Sequence, residues 1–404
     1  MIENQDIVIL GLMRFDGPYE SANFTMAKLL AKQNRVFYID NPYTWKDYLS
    51  LRNTEEFKKR KKYLPLSSSG VIPTDLPDIH IVVPPIVPSI NVIPEGFIYR
   101  NLLKLSERLI AKRIKKIIRD YSIKDFIYIN SFNFHYPDVA KLIKPTLTVY
   151  QCVDPLIRSF DTKHGIISEA SIVKTSNLII CTSKQLYEEK KKLNPNTFFI
   201  ANAADIKHSS KALDSNLPIH PAIKSLRKPV IGYFGNIERR IDFDLLKQVA
   251  QMNPDKSFAF VGPQEIEFIP DWFFATPNIH LTGKMPYEQM PLIIKGFDVA
   301  IIPFKADEVS KTIFPLKLFE YLGAGKPVVA INFNPDLKDF TDGTVAFCDD
   351  ANEFSREISN ALLNDSTENL ERRVKVATAN TWDERMKEIS TLLLSNLKEK
   401  KPDL

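Results

Sequence analysis

One stretch of the sequence, residues 312–330, has the residue types and spacing of a helix that binds phosphate and ribose. Pro315 suits the first turn of a helix, because the N–H that proline lacks would have no partner there. Lys317 falls in the same turn, where free backbone N–H groups and the helix dipole favour a phosphate. Glu320 lies one turn later on the same face, and its two oxygens could accept both hydroxyls of a ribose. A Lys317–Glu320 surface ion pair on a packing helix is the alternative that the spacing leaves open.

A glycine followed by two arginines forms a second candidate phosphate-binding segment. Gly235 ends a predicted strand, and without a side chain it lets the backbone approach a ligand closely. Arg239 and Arg240 follow in the same loop and suit bidentate contact with a phosphate. A tight strand-to-helix turn with two solvated arginines is the alternative.

The residues that could bind a metal lack the spacing of a metal site. Asp242 and Asp244 match the Asp-x-Asp pattern of metal–nucleotide sites, but they fall where a helix should begin, so we expect helix capping there. The three cysteines, at positions 152, 181 and 348, are expected to be buried free thiols in a reducing compartment. We therefore expect neither a metal nor another cofactor.

Two residues that follow predicted strands are candidates for a catalytic base: His135 and Asp154. Ligands of parallel sheets bind at the carboxyl ends of the strands, where either side chain could remove a proton from a hydroxyl. A loop turn ahead of Pro155 is the structural alternative for Asp154. For His135 the alternative is a partly buried histidine with a packing role.

Composition and motifs exclude several classes of protein. With 404 residues, 44% of them hydrophobic and 25% charged, the chain is too apolar for a disordered or low-complexity protein. No apolar stretch reaches the 18 residues of a membrane span, and the N-terminus does not resemble a signal peptide. The glycines of the loop at residues 11–19 are six apart, which counts against the Gly-x-Gly-x-x-Gly fingerprint of an NAD enzyme. We expect a cytoplasmic protein.

Short apolar runs alternate with helical periods along the whole chain, which predicts an α/β fold with two doubly wound parallel sheets. The polar, proline-rich stretch at 206–228 is interpreted as a linker between a first domain at 1–205 and a second at 229–379, followed by a C-terminal helix at 380–404. The predicted strands are residues 7–10, 36–39, 79–83, 126–129, 147–150, 178–181, 198–201, 230–234, 258–261, 279–281, 299–302, 328–331 and 344–347.

The first half of the chain is basic. Residues 1–200 carry 29 Lys and Arg against 20 Asp and Glu, a net charge of +9, whereas the rest of the chain has a net charge of −4. A predicted helix at 97–121 has an apolar stripe, opposite Lys104, Arg108, Lys112 and Lys115; the stripe consists of Ile98, Leu102, Leu105, Leu109 and Ile117. This face and the basic run at 58–62 could contact an anionic membrane; an ordinary helix with a solvated basic face is the alternative. No nucleic-acid-binding module is recognised.

Three motifs of the second half together resemble the donor-binding domain of GT-B glycosyltransferases of the family 4 and family 1 group. They read LTGKMPYEQMP at 281–291, FDVAIIPF at 297–304 and PLKLFEYLGAGKPVV at 315–329. Weaker similarities in the first half include RVFYIDNP at 35–42 and VYQCVD at 149–154. The sequence is particularly similar to bacterial cell-surface polysaccharide enzymes of the teichuronic-acid type.

The resemblance implies two Rossmann-like domains with a nucleotide-sugar bound in the cleft between them. Glu320 would hold the ribose, while Lys317, Arg239, Arg240 and the Gly235 backbone would face the diphosphate. Gly283 and Lys284 would border the base, and Thr312 and Pro315 would complete the donor site. The loop after the first strand would line the acceptor side with Arg14, Phe15, Asp16, Gly17 and Tyr19. The C-terminal helix from Trp382 would brace the first domain.

The sequence departs from the family pattern at one position. Retaining members carry Glu-x7-Glu, and the first of these glutamates is replaced here by Thr312. The resemblance to relatives with a Pro-x-Lys turn, which look like inverting enzymes, makes Asp154 the preferred base and His135 the second. The arginines and Lys317 would neutralise the departing nucleoside diphosphate, which would make a metal dispensable.

The resemblance therefore implies transfer of a sugar from a nucleotide-sugar to a hydroxyl of a glycan or lipid-linked glycan in cell-surface polysaccharide synthesis. UDP-sugar is expected ahead of GDP-sugar as the donor. A sugar-nucleotide epimerase of the same fold and a non-catalytic sugar-nucleotide- or glycan-binding subunit are the alternatives. We expect cytoplasmic location, with peripheral contact on the inner face of the plasma membrane as an open possibility.

Overall fold

The chain divides into two compact units. The computed structural model describes residues 2–15, 22–76, 78–156 and 161–401. The first unit consists of Met1–Ala201 together with Met386–Leu404, and the second consists of Asn202–Arg385.

The first unit is built on a sheet of eight strands, in the order β3-β4-β2-β1-β5-β6-β7-β8. Neighbouring strands are parallel, except that β3 is antiparallel to β4. Most of these strands are rich in Val and Ile and almost fully buried, as expected for a parallel sheet covered on both faces. Strands β1 to β8 are Asp6–Gly11, Arg35–Ile39, Val71–Ile72, Ile79–Val82, Phe126–Ser131, Leu147–Cys152, Leu178–Cys181 and Thr197–Phe199.

Helices cover both faces of this sheet. On one face Met26 and Leu30 of α1 share a buried cluster with Ile389 and Leu393 of α16. On the other face α4 and α5 pack over the sheet. The helix from Trp382 therefore supplies part of the core of the first unit. The helices of this unit are α1 Ala22–Leu30, α2 Trp45–Leu51, α3 Glu55–Lys61, α4 Phe97–Asp120, α5 Val139–Ile143, α6 Ile166–Thr175, α7 Lys184–Lys191 and α16 Trp382–Lys400, with a π-helical turn at Asp161–Gly165.

Helix α4 turns a different face to the sheet from the one predicted. The buried face includes Tyr99, Leu103, Ile110, Ile114 and Ile117, so only the last member of the predicted stripe is fully buried. The predicted stripe is displaced from this face by one residue, a rotation of about 100°. Polar residues obscured the true face in the sequence, because three of its buried positions are polar or charged: Ser106, Glu107 and Arg113.

The two buried charged groups of α4 have partners elsewhere in the unit. Glu107 accepts a hydrogen bond from the backbone N–H of Asp138 at 2.6 Å, and the guanidinium of Arg113 donates to carbonyls of the 63–68 segment. Ile98 and Leu105, two members of the predicted apolar stripe, are consequently 66% and 44% exposed. Within the described ranges, no helix is both long and apolar enough to cross a membrane.

The second unit is built on a six-stranded parallel sheet with the order β11-β10-β9-β12-β13-β14. Counted from the first strand of the unit, this is the order 3-2-1-4-5-6 of the Rossmann fold, which reverses direction between β9 and β12. Strands β9 to β14 are Val230–Phe234, Ser257–Val261, Ile279–Gly283, Val299–Ile302, Val328–Ile331 and Val345–Cys348. Helices α8 to α15 are Ile206–Ser209, Pro221–Lys224, Phe243–Met252, Asp271–Ala275, Met290–Lys295, Leu316–Gly323, Ala351–Leu363 and Thr367–Ala379.

The segment 206–228, interpreted from its composition as a linker, is folded as part of the second unit. It contains α8 and α9, and its side chains Ile206, Ala212 and Ile223 are buried. A Cβ on Gly323 of α13 would lie 2.6 Å from the hydroxyl of Ser209, so α8 packs closely on α13. Burial of these few apolar side chains outweighs the polar composition that suggested a linker.

Candidate functional site

The candidate donor site lies where the strand order of the second unit reverses. Parallel sheets of this kind bind ligands beyond the carboxyl ends of the strands at such a reversal. Gly235 follows β9 directly, and the segment from residue 303 to α13 follows β12. The fold thus brings the two segments that were singled out in the sequence to the same edge of one sheet.

Gly235 occupies a position that requires glycine. Its φ of +145° is one that other residues rarely adopt, and a Cβ here would lie 2.3 Å from the Nζ of Lys317. The loop after β10 lies equally close to this backbone, since a Cβ on Gly262 would lie 1.9 Å from the carbonyl oxygen of Gly235. The backbone after β9 can therefore come close to a ligand without steric hindrance from side chains.

Lys317 holds its ammonium group against aromatic rings at the start of α13. The helix begins at Leu316, directly after Pro315. The Nζ of Lys317 donates to the hydroxyl of Tyr233 at 2.6 Å and lies 4.0 Å from the centroid of that ring. Burial, with a further contribution from the positive charge of Arg240, lowers the pKa of Lys317 to about 7. The amine is therefore poised to gain a proton when an anion arrives.

Glu320 is buried and held by a tyrosine. Its side chain is on α13, and its Oε1 accepts a hydrogen bond from the hydroxyl of Tyr287 at 2.7 Å. Burial raises the pKa of Glu320, while the Tyr287 hydrogen bond and the Lys317 charge oppose that rise. A carboxylate in this position can accept further hydrogen bonds from the hydroxyls of a ligand.

Tyr287 is in turn supported by the segment that was interpreted as a linker. The Nε2 of His208 lies 2.9 Å from the backbone oxygen of Tyr287 and must donate its proton to that carbonyl. The two rings stack with their centroids 4.8 Å apart. Helix α8 thereby helps to fix the hydroxyl that holds Glu320.

The two arginines predicted to face a diphosphate have different surroundings. Arg240 forms an ion pair with Glu238 and lies 5.7 Å from the centroid of the Phe304 ring. Its positive charge contributes to the lowered pKa of Lys317, so the two side chains lie near each other. Arg239 is exposed, and no hydrogen bond or ion pair in the described part of the chain involves it. Of the pair, only Arg240 is thus tied to Lys317 in this structure.

The remaining predicted donor residues have separate surroundings. Gly283 has a φ of +76°, and its carbonyl accepts a hydrogen bond from the N–H of Gly262 at 3.0 Å; Lys284 is exposed. Thr312 is buried, and its hydroxyl donates to the carbonyl of Val309 at 2.7 Å. The hydroxyl of Thr312 therefore bonds within its own turn of the chain.

Asp242 caps α10 by accepting from the N–H of Leu245 at 2.9 Å, so the expected capping is confirmed.

A cavity of about 120 Å³ in the first unit contains the candidate base His135. It adjoins the segments that follow β2 and β5, and six of its polar lining residues are Asn41, Asp47, Asn91, Ser106, His135 and Tyr136. Burial, with a smaller contribution from the nearby His164, lowers the pKa of His135 to about 4. The imidazole is consequently neutral at pH 7, and the same burial makes it a weaker proton acceptor than an ordinary histidine.

Arg14 and Phe15 brace the wall of this cavity. The Nε of Arg14 donates to the carbonyl of Asn41 at 3.1 Å, and its guanidinium lies 3.7 Å from the centroid of the Tyr43 ring. The N–H of Phe15 donates to the carboxylate of Asp40 at 2.9 Å. The other predicted acceptor-loop residues, Asp16, Gly17 and Tyr19, lie outside the described residues.

Asp154, the preferred base from the sequence, is placed differently from His135. It follows β6 and is exposed, and it is not among the described residues that line the cavity. Residues 157–160, which follow it, lie outside the described ranges. The structure therefore brings His135, but not Asp154, into the cavity of the first unit.

Three residues of the donor cluster escaped the sequence analysis: Tyr233, Tyr287 and His208. Tyr233 precedes Gly235 by two residues, and Tyr287 lies inside a quoted motif, so both positions carried a signal. His208 carried none, because it lies in a polar stretch without a recognisable pattern. Its role depends on the packing of α8 against α13, which sequence spacing does not encode.

Comparison with known proteins points to a class for the second unit. Residues 228–364 match the family model described as Glycosyl transferases group 1. The match lies within the second unit and supports a glycosyltransferase domain there. It is also 27% identical over 213 residues to the putative teichuronic acid biosynthesis glycosyltransferase TuaH of Bacillus subtilis, an alignment that covers 49% of this chain and about half (53%) of that relative.

Solved structures establish the fold of the whole chain. It is similar to the Anabaena Alr3699/HepE structure in complex with UDP and glucose, with a TM-score of 0.62 and 14% identity over 97% of this chain and 100% of that one. It is also similar to an E. coli trehalose-6-phosphate protein bound with UDP-2-fluoro glucose, with a TM-score of 0.66 and 10% identity over 98% and 99% of the two chains. The predicted GT-B fold is confirmed.

Proposed function

We propose that this protein transfers a sugar from a nucleoside diphosphate sugar to a hydroxyl of a glycan or lipid-linked glycan in cell-surface polysaccharide synthesis. The observation that carries the proposal is the arrangement of Gly235, Lys317 and Glu320 at the strand reversal of a glycosyl transferases group 1 domain. An anion-binding amine, a close backbone and a buried carboxylate are the groups that a diphosphate and a ribose need.

The donor is assigned to these groups as follows. Glu320 accepts hydrogen bonds from the ribose hydroxyls, and Lys317 and Arg240 face the diphosphate near the Gly235 backbone. Arg239, Gly283 and Lys284 are proposed to complete the site toward the phosphates and the base. UDP is the first nucleotide to test, because the solved structures similar to this chain include complexes with UDP and UDP-glucose.

The transfer step moves one proton and exchanges one bond. The proton of the acceptor hydroxyl passes to a base, the acceptor oxygen bonds to the anomeric carbon, and the bond from that carbon to the diphosphate oxygen breaks. The nucleoside diphosphate leaves with the electron pair, and Lys317 and Arg240 stabilise its charge without a metal. His135 is proposed as the base because it lines the cavity of the first unit. Burial keeps its imidazole unprotonated at pH 7 but also lowers its proton affinity, so Asp154 remains the second candidate.

Thermal denaturation with UDP, GDP and ADP tests the donor site. We expect UDP to raise the melting temperature, by an amount that grows with its concentration and is unchanged by EDTA. A shift that disappears with EDTA would contradict the metal-free proposal. If none of the three nucleotides stabilises the protein, the donor assignment fails and a glycan-binding subunit becomes the better interpretation.

A second measurement separates transfer from epimerisation. Incubation with a UDP-sugar should release UDP in proportion to an added acceptor glycan. Conversion of the sugar in the absence of acceptor, with no UDP released into solution, would instead indicate the epimerase.

A further inference from the structure

Helix α4 exposes apolar side chains where a protein in water would normally bury them. Phe97 is 85% exposed, and Ile98 and Leu105 are also largely accessible. They lie at the N-terminal half of a helix whose opposite face already packs on the sheet. Single exposed apolar residues are common, but several on connected segments mark a contact surface.

Two neighbouring segments extend this apolar surface. The N–H of Lys46 in α2 donates to the hydroxyl of Ser89 at 2.7 Å, which joins α2 to the loop that leads into α4. That loop and α2 carry Val92, which is 85% exposed, and also Trp45 and Leu49.

The start of α6 is joined to the start of α4 by two polar contacts. The guanidinium of Arg100 donates to the hydroxyl of Ser168 at 2.9 Å, and the Nδ1 of His164 lies 2.8 Å from the carboxylate of Glu95. Between them, Ile166 and Ile167 are more than half exposed. Eight exposed apolar side chains thus lie on three connected segments, which we call the docking surface: Trp45, Leu49, Val92, Phe97, Ile98, Leu105, Ile166 and Ile167.

Basic residues continue the docking surface along α4. Lys104, Arg108, Lys112 and Lys115 are exposed. At 100° per residue they lie on the same side of the helix as Phe97 and Leu105, and not opposite Leu105 as expected from the sequence. Three nearby acidic groups are already engaged: Glu95 pairs with Arg100, Asp47 lies 4.0 Å from Arg14, and Glu107 is buried. Within the described ranges no ion pair involves the four basic side chains, so the surface combines apolar groups with positive charge, which complements a bilayer with anionic headgroups.

The cavity that holds His135 is built from the same segments. Asp47 of α2, Asn91 of the loop and Tyr99 and Ser106 of α4 all line it. Each of these residues is within a few positions of an exposed apolar side chain of the docking surface. A group presented from a membrane at this surface would thus lie next to the cavity.

We propose that the docking surface binds an anionic lipid bilayer, with its apolar side chains at the boundary between headgroups and acyl chains and the basic residues of α4 on the lipid phosphates. The partner is a lipid surface, and the inference that it delivers a lipid-linked acceptor rests on the proposed function. Docking itself needs neither donor nor acceptor, so it is tested without them.

Sedimentation with vesicles tests the docking. The full chain should bind vesicles that contain phosphatidylglycerol, bind pure phosphatidylcholine vesicles weakly, and lose affinity as salt is raised. The triple variant Lys104→Glu, Arg108→Glu, Lys112→Glu should bind about a hundredfold more weakly. The matched control is Lys247→Glu, Lys338→Glu, Lys375→Glu, which reverses three exposed lysines of the second unit and should bind like the wild type.

The apolar contribution is tested with a second pair of variants. Phe97→Ser with Ile98→Ser should weaken vesicle binding by about tenfold or more. Leu363→Ser with Ile266→Ser replaces exposed apolar side chains of the second unit and should have no effect. An equal loss of vesicle binding in both double variants, or no loss in either, would overturn the assignment of the surface.

Trp45 gives an independent readout of insertion. It is 55% exposed on the docking surface, whereas Trp272 and Trp382 are less exposed. Brominated acyl chains should quench its fluorescence in the wild type, and the quenching should be lost in Trp45→Phe. Binding without quenching would reduce the proposal to a purely electrostatic contact and contradict apolar insertion.

Two further outcomes separate this proposal from its competitors. If sedimentation equilibrium shows a dimer that Phe97→Ser with Ile98→Ser dissociates, the surface binds a second copy and the lipid proposal fails. If vesicles bind but UDP does not stabilise the protein, the docking stands and the proposed function fails. Stabilisation by UDP without vesicle binding overturns only the docking.

Discussion

At the scale of single residues, the chemistry of the donor site depends on one amine in an unusual environment. Lys317 lies against two aromatic rings, and the phenol of Tyr233 accepts one of its hydrogen bonds. Such surroundings stabilise the ammonium form less than water does, so its pKa falls to about 7 from its ordinary value of 10.5. A bound diphosphate would supply the missing negative charge.

Nucleotide binding should therefore take up a proton. The pKa of Lys317 is about 7 in the free protein and should rise in the complex. The contribution of Lys317 to affinity is therefore greatest below pH 7 and falls as the pH rises through the range between the two values. Calorimetry with UDP at pH 8, in buffers of different ionisation enthalpy, should detect this uptake, because the phosphate itself, with a pKa near about 6, is then already ionised.

The control for this proton uptake is Lys317→Arg. A guanidinium stays protonated throughout this range, so the variant should bind UDP, if more weakly, without the proton uptake. If the wild type and Lys317→Arg show the same uptake, the amine is not the group that titrates.

The donor site also shows what single residues reveal in a sequence. The types and spacing of Gly235, Lys317 and Glu320 suggested a phosphate and ribose site but left a surface Lys317–Glu320 pair open. The structure buries Glu320 and brings Lys317 to Gly235. Tyr287 and His208 belong to segments distant in sequence from Glu320, and only the packing of α8 on α13 connects them. Contacts of this kind leave no local pattern.

At the scale of elements, strands are predicted well where both faces are buried. Continuous apolar runs such as Val299–Ile302 and Val328–Ile331 match the structure residue for residue, since a parallel strand inside two helical layers has no polar face. The two-residue strand Val71–Ile72 was missed, because it is too short to show a period. Helix α4 was predicted with the right length and the wrong face, since buried Ser106, Glu107 and Arg113 interrupt its apolar pattern.

The C-terminal helix allows a direct test of element packing. Leu393 is fully buried in the cluster that joins α16 to α1 and the sheet of the first unit. Leu393→Ala should lower the free energy of unfolding by about 2–5 kcal/mol, because it removes buried methyl groups and leaves a cavity. Urea denaturation followed by circular dichroism measures this change.

The control for Leu393→Ala is the same substitution at an exposed leucine of another helix. Leu363 at the end of α14 is 81% exposed, so Leu363→Ala should change the free energy of unfolding by less than about 0.5 kcal/mol. If both substitutions have the same small effect, α16 does not contribute to the core as the structure describes.

At the scale of the whole molecule, the two units hold different parts of the proposed reaction. The groups proposed to recognise a nucleotide are all in the second unit, while the candidate bases His135 and Asp154 are in the first. Binding of UDP and transfer of a sugar should therefore be separable by mutation. A variant of the first unit should lose turnover and keep nucleotide affinity, and a variant of the second should lose that affinity.

We expect His135→Asn to lower kcat by about 10²–10⁴-fold, the usual contribution of a general base, and to leave the Kd for UDP unchanged. Glu320→Gln should instead weaken UDP binding by about 1–3 kcal/mol, the worth of hydrogen bonds to a charged group. Isothermal titration with UDP and turnover of a UDP-sugar with acceptor give the two quantities. Asp154→Asn is the matched comparison, because it removes the other candidate base from the same unit.

The pattern of these three variants decides between the bases. A loss of turnover in Asp154→Asn with full activity in His135→Asn would assign the proton transfer to the exposed carboxylate and leave the cavity of the first unit without a catalytic role. Loss in His135→Asn alone would assign it to the imidazole, whose neutral form at pH 7 follows from its burial. Because that pKa is about 4 in the free protein, the acid limb of kcat/KM for a His135-dependent enzyme should fall at about pH 4 rather than at about 6.5.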